Sequence, residues 1–173
     1  MREIHLPFTR ENIESLKAYD RILLSGNLLV GRDQVHARLY KSLQEGSPLP
    51  VSLESETIYY MGPAATPENM VIGSCGPTTS ARMDPFTPAL MEAGLVATIG
   101  KGPRSKAVLE SIHTYKGLYL VAFGGCGALY ATKVISKAVI GFEDLGPEAL
   151  LCLEVRGFPV IVGIDSQGNS VFT

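Results

Sequence analysis

The sequence predicts an α/β fold with buried strands, and three observations carry that prediction. Short, near-continuous apolar runs, such as Leu95-Val96-Ala97-Thr98-Ile99 and the stretch from Gly117 to Phe123, have the length and character of strands covered on both faces. Between such runs lie stretches with apolar residues at helical spacing, of which Val35, Leu39 and Leu43 are the clearest. Glycine- and proline-rich corners separate the two kinds of segment. Strand order does not follow from these patterns.

Taken in order, Arg2 to Pro7 alternates charged and apolar residues, as a strand entering the fold does. Thr9 can cap a short helix that turns Ile13 and Leu16 inward. Arg21 to Val30 predicts two strand pieces around a turn or bulge at Gly26-Asn27. Asp33 suits the N-cap of a helix running to about Gly46, a residue fitted to a helix C-terminus. Ser47 to Pro67 is rich in Ser, Pro and Gly, with a strand expected from Thr57 to Met61. Met70 to Ile72 reads as a strand that stops at a Gly-Pro turn and passes into a helix near Thr78. A second helix is expected over Pro85 to Ala93, closed by Gly94, and a third over Ser105 to Tyr115. Val134 to Asp165 alternates strands and turns, with breaks at Gly146-Pro147 and around Gly157-Phe158-Pro159. No linker or internal repeat divides the chain, so residues 1–173 are expected to form one domain.

Composition narrows the function classes. Hydrophobic residues make up 46% and charged residues 18%, which leaves room for a face buried against a partner. The formal charge is −2 and the basic residues are dispersed, so neither a nucleic-acid stripe nor a polybasic membrane patch is expected. No apolar run approaches the roughly 20 residues of a membrane helix, and Met1 to Pro7 lacks a signal-peptide core, which predicts a cytoplasmic protein. The three cysteines, Cys75, Cys126 and Cys152, are widely spaced without a Cys-x-x-Cys pair. They support neither a disulfide framework nor a metal or iron-sulfur site held by this chain. Cys152, among leucines, is expected to be a small buried hydrophobe.

Three corners between an expected strand and an expected helix carry cations. The central one is Gly73-Ser74-Cys75-Gly76-Pro77-Thr78-Thr79-Ser80-Ala81-Arg82-Met83-Asp84, where Thr78 and Thr79 offer hydroxyls beside helix-start amides. Arg82, four residues beyond Thr78, would share its helical face. The bland alternative makes Thr78 an ordinary N-cap and Arg82 a solvated charge. A P-loop is excluded, because no Gly-Lys-Ser/Thr follows at the required distance. The second corner is Gly31-Arg32-Asp33-Gln34-Val35-His36, with His36 one helical turn beyond Arg32, and the third is Gly100-Lys101-Gly102-Pro103. A surface arginine, a buried histidine bonded to backbone and a loop lysine are the alternatives there. Strand ends in α/β folds gather on one edge and form a ligand crevice. Arginines and a lysine gathered there suit a small dianion with two carboxylates.

Gly76-Pro77-Thr78-Thr79-Ser80-Ala81-Arg82-Met83-Asp84 resembles the signature of the beta region of the iron-sulfur hydro-lyases, the class I fumarase and L(+)-tartrate dehydratase family. Gly31-Arg32-Asp33-x-x-His36, Gly100-Lys101-Gly102 and Gly124-Gly125 resemble the same family, and the likeness spans roughly Arg21 to Phe172. The resemblance implies a swivelling beta/beta/alpha domain with a mixed sheet covered by helices. It implies a separate beta subunit that pairs with an alpha subunit in a hetero-oligomer, the partner holding a [4Fe-4S] cluster. Fumarate hydration to L-malate is the implied reaction. L(+)-tartrate dehydration and a noncatalytic dicarboxylate-binding or regulatory module are the alternatives. Arg32, Arg82 and Lys101 are then ligands of substrate carboxylates. Thr78 lies near the reacting carbon, for proton transfer or hydrogen bonding, and His36, Gly76, Thr79 and Asp84 support the site.

Overall fold

The computed structural model describes residues 1–62 and 64–172. Its strands are β1 (Arg2–His5), β2 (Arg21–Val30), β3 (Thr57–Tyr59), β4 (Ala97–Gly100), β5 (Leu118–Val121), β6 (Val134–Gly141) and β7 (Leu150–Ile164). The α-helices are α1 (Arg10–Ser15), α2 (Asp33–Glu45), α3 (Thr87–Glu92), α4 (Lys106–Tyr115) and α5 (Gly127–Ala131), joined by two 3₁₀ segments, Ser80–Met83 and Glu143–Glu148. Thr9 caps α1 through a reciprocal pair with Asn12, and Gly46 ends α2 in the left-handed conformation, as their residue types dictate.

The sheet is mixed and covered by helices, as expected. β1 through β5 run parallel, in the order β1-β2-β3-β4-β5-β7-β6, and β7 is antiparallel to each neighbour. One edge of β7 pairs with β2 from Leu151 to Ile161, while its other edge pairs first with β6 and then with β5. Strands β2, β3, β4, β5 and β7 therefore form a closed circuit of pairings. Inside it, residues spaced two apart, among them Leu28 and Val30, Tyr59 and Met61, Ala97 and Ile99, Leu118 and Leu120, share one core with Phe158. The alternate residues Leu29, Ile58 and Tyr60 pack outward against Val35 and Leu39 of α2 and Leu90 of α3. Val108 and Ile112 of α4 cover Tyr119 and Ile164. Burial on both faces is why these strands read as continuous apolar runs.

Several local expectations change. Arg21 to Val30 is one continuous strand rather than two pieces, because its whole length pairs with β7, and of the turn or bulge expected near Gly26 it has the bulge, a register shift between Leu24 and Gly26. Leu150 to Ile164 is likewise one 15-residue strand. It runs through Gly157-Phe158-Pro159 because Gly157, at φ 66, absorbs an extra residue as a bulge and donates its N–H to Ser25 Oγ at 3.0 Å. Met70 to Ile72 forms no strand; only Ile72 enters the core, while Met70 and Val71 stay exposed. No helix starts at Thr78: residues 77–79 are extended, and a short 3₁₀ segment follows from Ser80. Cys152 is only half-buried, since it alternates with the core residues Leu151 and Leu153 and so faces the other side of β7.

Candidate active site

The carboxyl ends of the parallel strands lie in one row, with Val30 opposite Tyr59, Tyr59 opposite Ile99, and Gly100 opposite Val121. The chain leaving each end therefore reaches the same rim: Arg32 after β2, Gly62 after β3, Lys101 after β4 and Gly124 after β5. Gly124 lies against the lysine stem, a Cβ built there falling 3.7 Å from Lys101 Cδ.

The central motif threads between the ends of β3 and β4. Pro77 bridges Met61, Thr79 bridges Lys101, and the Thr78 N–H donates to the Tyr60 carbonyl at 2.8 Å. Ser80 N–H donates to Lys101 O at 2.9 Å, and Lys101 N–H donates to Thr78 O at 3.3 Å. These main-chain pairings, rather than a helix cap, fix Thr78 and Thr79, and they occupy the Thr78 amide that a helix start would have left for an anion. The Thr78–Arg82 contact survives without the helix, Arg82 Nη2 donating to Thr78 Oγ1 at 3.3 Å. Gly76 lies against the start of α5, 3.6 Å separating a Cβ built there from Gly127 Cα.

Each candidate arginine meets a carboxylate of its own chain. Arg82 Nη2 also pairs with Asp33 Oδ2 at 2.9 Å, which ties the central motif to the start of α2. Arg32 Nε donates to Glu148 Oε1 at 2.7 Å, and its Nη2 donates to the same oxygen. Arg32, Thr78, Arg82 and Lys101 are thus joined in one patch through Asp33 and the Thr79–Lys101 bridge. The structure brings together the four residues that the sequence singled out as ligands.

The supporting positions lie beneath this patch. His36 is completely buried, edge-on to the Tyr60 ring at 5.2 Å, and does not reach the rim. Its Nδ1–H donates to the Arg32 carbonyl at 2.7 Å, and its Nε2 finds no partner among the described residues. Burial drives its pKa down to about 4, against the opposing pull of the Arg32 carbonyl. Asp84 receives Arg104 Nε at 2.7 Å and the Ser105 N–H at 2.8 Å, so it anchors the motif to the start of α4. Arg104 has no exposed side-chain surface. Its guanidinium donates to Thr98, Tyr60 and Thr87 and lies over the Tyr60 and Tyr119 rings. Tyr119 in turn bonds Ser80 Oγ at 2.8 Å and donates to Gly102 O at 2.7 Å, linking the Arg82 and Lys101 loops from below. Arg104, Glu148 and Gly62 were not singled out by sequence.

Chemically, the patch offers two guanidinium forks, an ammonium and a hydroxyl on an open rim, a donor set suited to carboxylates. Among the described residues, no three His, Cys, Asp or Glu side chains converge as a metal site requires. No helix among them is long and apolar enough to cross a membrane.

Comparison with known proteins adds three findings. The family described as Fumarase C-terminus matches residues 1–173. The chain is 37% identical to "Fumarate hydratase 1, mitochondrial" of Leishmania major over 96% of its own length and 31% of that protein, and 36% identical to "Fumarate hydratase class I, aerobic" of Salmonella typhimurium over 94% and 29%. It is also 37% identical to a protein of Methanocaldococcus jannaschii provisionally named L(+)-tartrate dehydratase subunit beta, over 95% of its own length and 87% of that protein. The chain thus spans about a third of the fumarate hydratases it matches and most of the archaeal protein.

Proposed function

Because the chain belongs to the Fumarase C-terminus family, we propose that it is the beta subunit of a class I fumarate hydratase, interconverting fumarate and L-malate. Its active site would be shared with an alpha subunit. The observation that carries this reading is the convergence of Arg32, Thr78, Arg82 and Lys101 on one sheet edge, through strand ends in register and the Thr79–Lys101 bridge. The archaeal relative, named as a subunit and matched over most of its length, supports a split enzyme.

In this role, Arg32 and Arg82 take the two carboxylates through their planar forks, and Lys101 adds a compact positive charge. Held at both ends, the substrate cannot rotate, and its central carbons stay fixed against Thr78. The hydrogen bond from Arg82 stabilises negative charge on Thr78 Oγ1, as a hydroxyl taking part in proton transfer requires. A [4Fe-4S] cluster, which the partner would hold, would supply Lewis-acid activation of the substrate hydroxyl. L(+)-tartrate dehydration, with one more substrate hydroxyl, is the second reading, favoured by the name of the archaeal relative.

Replacing Arg82 tests the assignment. In the enzyme combined with its partner, Arg82→Ala is expected to lower fumarate kcat/KM by at least roughly 10- to 100-fold, the worth of one charge-assisted carboxylate contact, while the subunits still associate. Unchanged turnover would remove Arg82 from the site and leave the noncatalytic binding module as the better account.

A further inference from the structure

We propose that Glu148 and Gly62 are positioning residues that aim the Arg32 guanidinium at a ligand carboxylate. The proposal rests on the dicarboxylate function above. The main chain of Arg32 is fixed at the start of α2, where its carbonyl accepts both the His36 N–H at 2.9 Å and His36 Nδ1–H at 2.7 Å. A fixed main chain does not fix a long side chain, which keeps its own rotamer freedom. Something beyond the helix start must hold the fork.

Two contacts of different kinds do so. Glu148, at the end of the 3₁₀ segment Glu143–Glu148, takes Arg32 Nε and Nη2 together on its Oε1. Gly62 lies flat against the same guanidinium: a Cβ built there would overlap Nη1 and fall 2.5 Å from Cζ and 3.0 Å from Nε. No side chain fits at that position while Arg32 stays where it is. Glu148 and Gly62 thus close on the fork from one edge and one face.

This arrangement decides which edge of Arg32 faces a ligand. A guanidinium offers one two-donor edge at Nε and Nη2 and another at Nη1 and Nη2. Glu148 fills the first, so the second is left to meet a carboxylate end-on. The Arg32 and Glu148 side chains are 33% and 32% exposed, so water screens the pair and its contribution to folding is small. Orientation is what the contact provides. Asp33 sits against Arg82 Nη2 in a comparable way.

The test uses two preparations and two variants, Glu148→Gln and Gly62→Ala. In the isolated chain labelled with nitrogen-15 in arginine, the Arg32 Nε–H signal, assigned by its loss in Arg32→Ala, is expected to exchange slowly with water. It should exchange rapidly in both variants while the unfolding midpoint moves by less than about 4 °C. An alanine at Gly62 meets only the end of a flexible side chain, so the fold should absorb it. In the combined enzyme, both variants are expected to raise the fumarate KM about tenfold with kcat changed by less than about threefold. Equal protection of Arg32 Nε–H in wild type and Glu148→Gln would overturn the proposal, as would an unchanged KM. A lowered KM would also overturn it, making Glu148 a competitor of substrate instead. If the wild-type combination turns over no dicarboxylate, the function above fails, and Arg32 protection in the isolated chain still decides whether Glu148 and Gly62 hold the fork.

Discussion

Acid should loosen this fold through His36. The side chain is completely buried, its Nδ1–H is committed to the Arg32 carbonyl, and its Nε2 faces no partner among the described residues. Burial lowers its pKa from the ordinary 6.5 to about 4, with the Arg104 charge acting in the same direction and Asp33 against it. The folded state therefore accommodates the neutral ring, and the unfolded chain takes up a proton first as pH falls. Above pH 7 this group leaves stability unchanged; below 6.5 stability declines, and the loss levels off near the folded value of about 4. Linkage puts the loss at about 2 kcal/mol between pH 7 and 5 and about 3 kcal/mol by pH 4. Urea unfolding at pH 7, 6 and 5 measures it, with His36→Asn as the control that keeps an N–H donor and takes no proton. The variant is expected to be less stable at pH 7 but flatter with pH by about 2 kcal/mol over that window. Asp144, held low by its hydrogen bond from Arg38, gives up its charge only at lower pH. Parallel pH slopes in wild type and variant would refute the reasoning.

Two further substitutions probe the supporting structure. Arg104→Met leaves Asp84, only 12% exposed, without its cation, and should destabilise the fold by about 3–5 kcal/mol in denaturant titration. Gly157→Ala places a side chain at φ 66 in the β7 bulge and should lower stability by about 1–2 kcal/mol, read as a shifted urea midpoint with an unchanged slope.

The residues at the ends of strands were the most legible part of the sequence. Arg32 and Lys101 stood out because a cation beside glycine, between an apolar run and a helix start, is a local pattern, and parallel pairing then sets those ends in one row. Thr78 and Arg82 do meet, though for a different reason from the one their spacing suggested. Main-chain bonds to Tyr60 and Lys101 outcompete a helix at Thr78, and the long arginine side chain closes the gap. Such bonds form between segments distant in sequence and leave no periodicity to detect. The same holds for Glu148, 116 residues from Arg32, and for Arg104, whose burial depends on Tyr60, just past β3, and Tyr119 of β5. Asp33 reads as a cap, but Arg32 takes the cap position and Asp33 is the first residue of α2; its ion pair with Arg82 exists only once α2 and the central motif share an edge. The unbroken course of β7 was hidden by Gly157 and Pro159, which mark turns by composition; here Gly157 lies in a bulge and Pro159 pairs in register with Leu23.

Anaerobic fumarate hydration, measured for this chain alone and mixed with a reconstituted cluster-bearing alpha subunit, tests the central claim most directly, with tartrate dehydration run in parallel. The account predicts fumarate turnover in the mixture and none in the chain alone. A stable complex that turns over neither substrate, or equal activity without the partner, would contradict it.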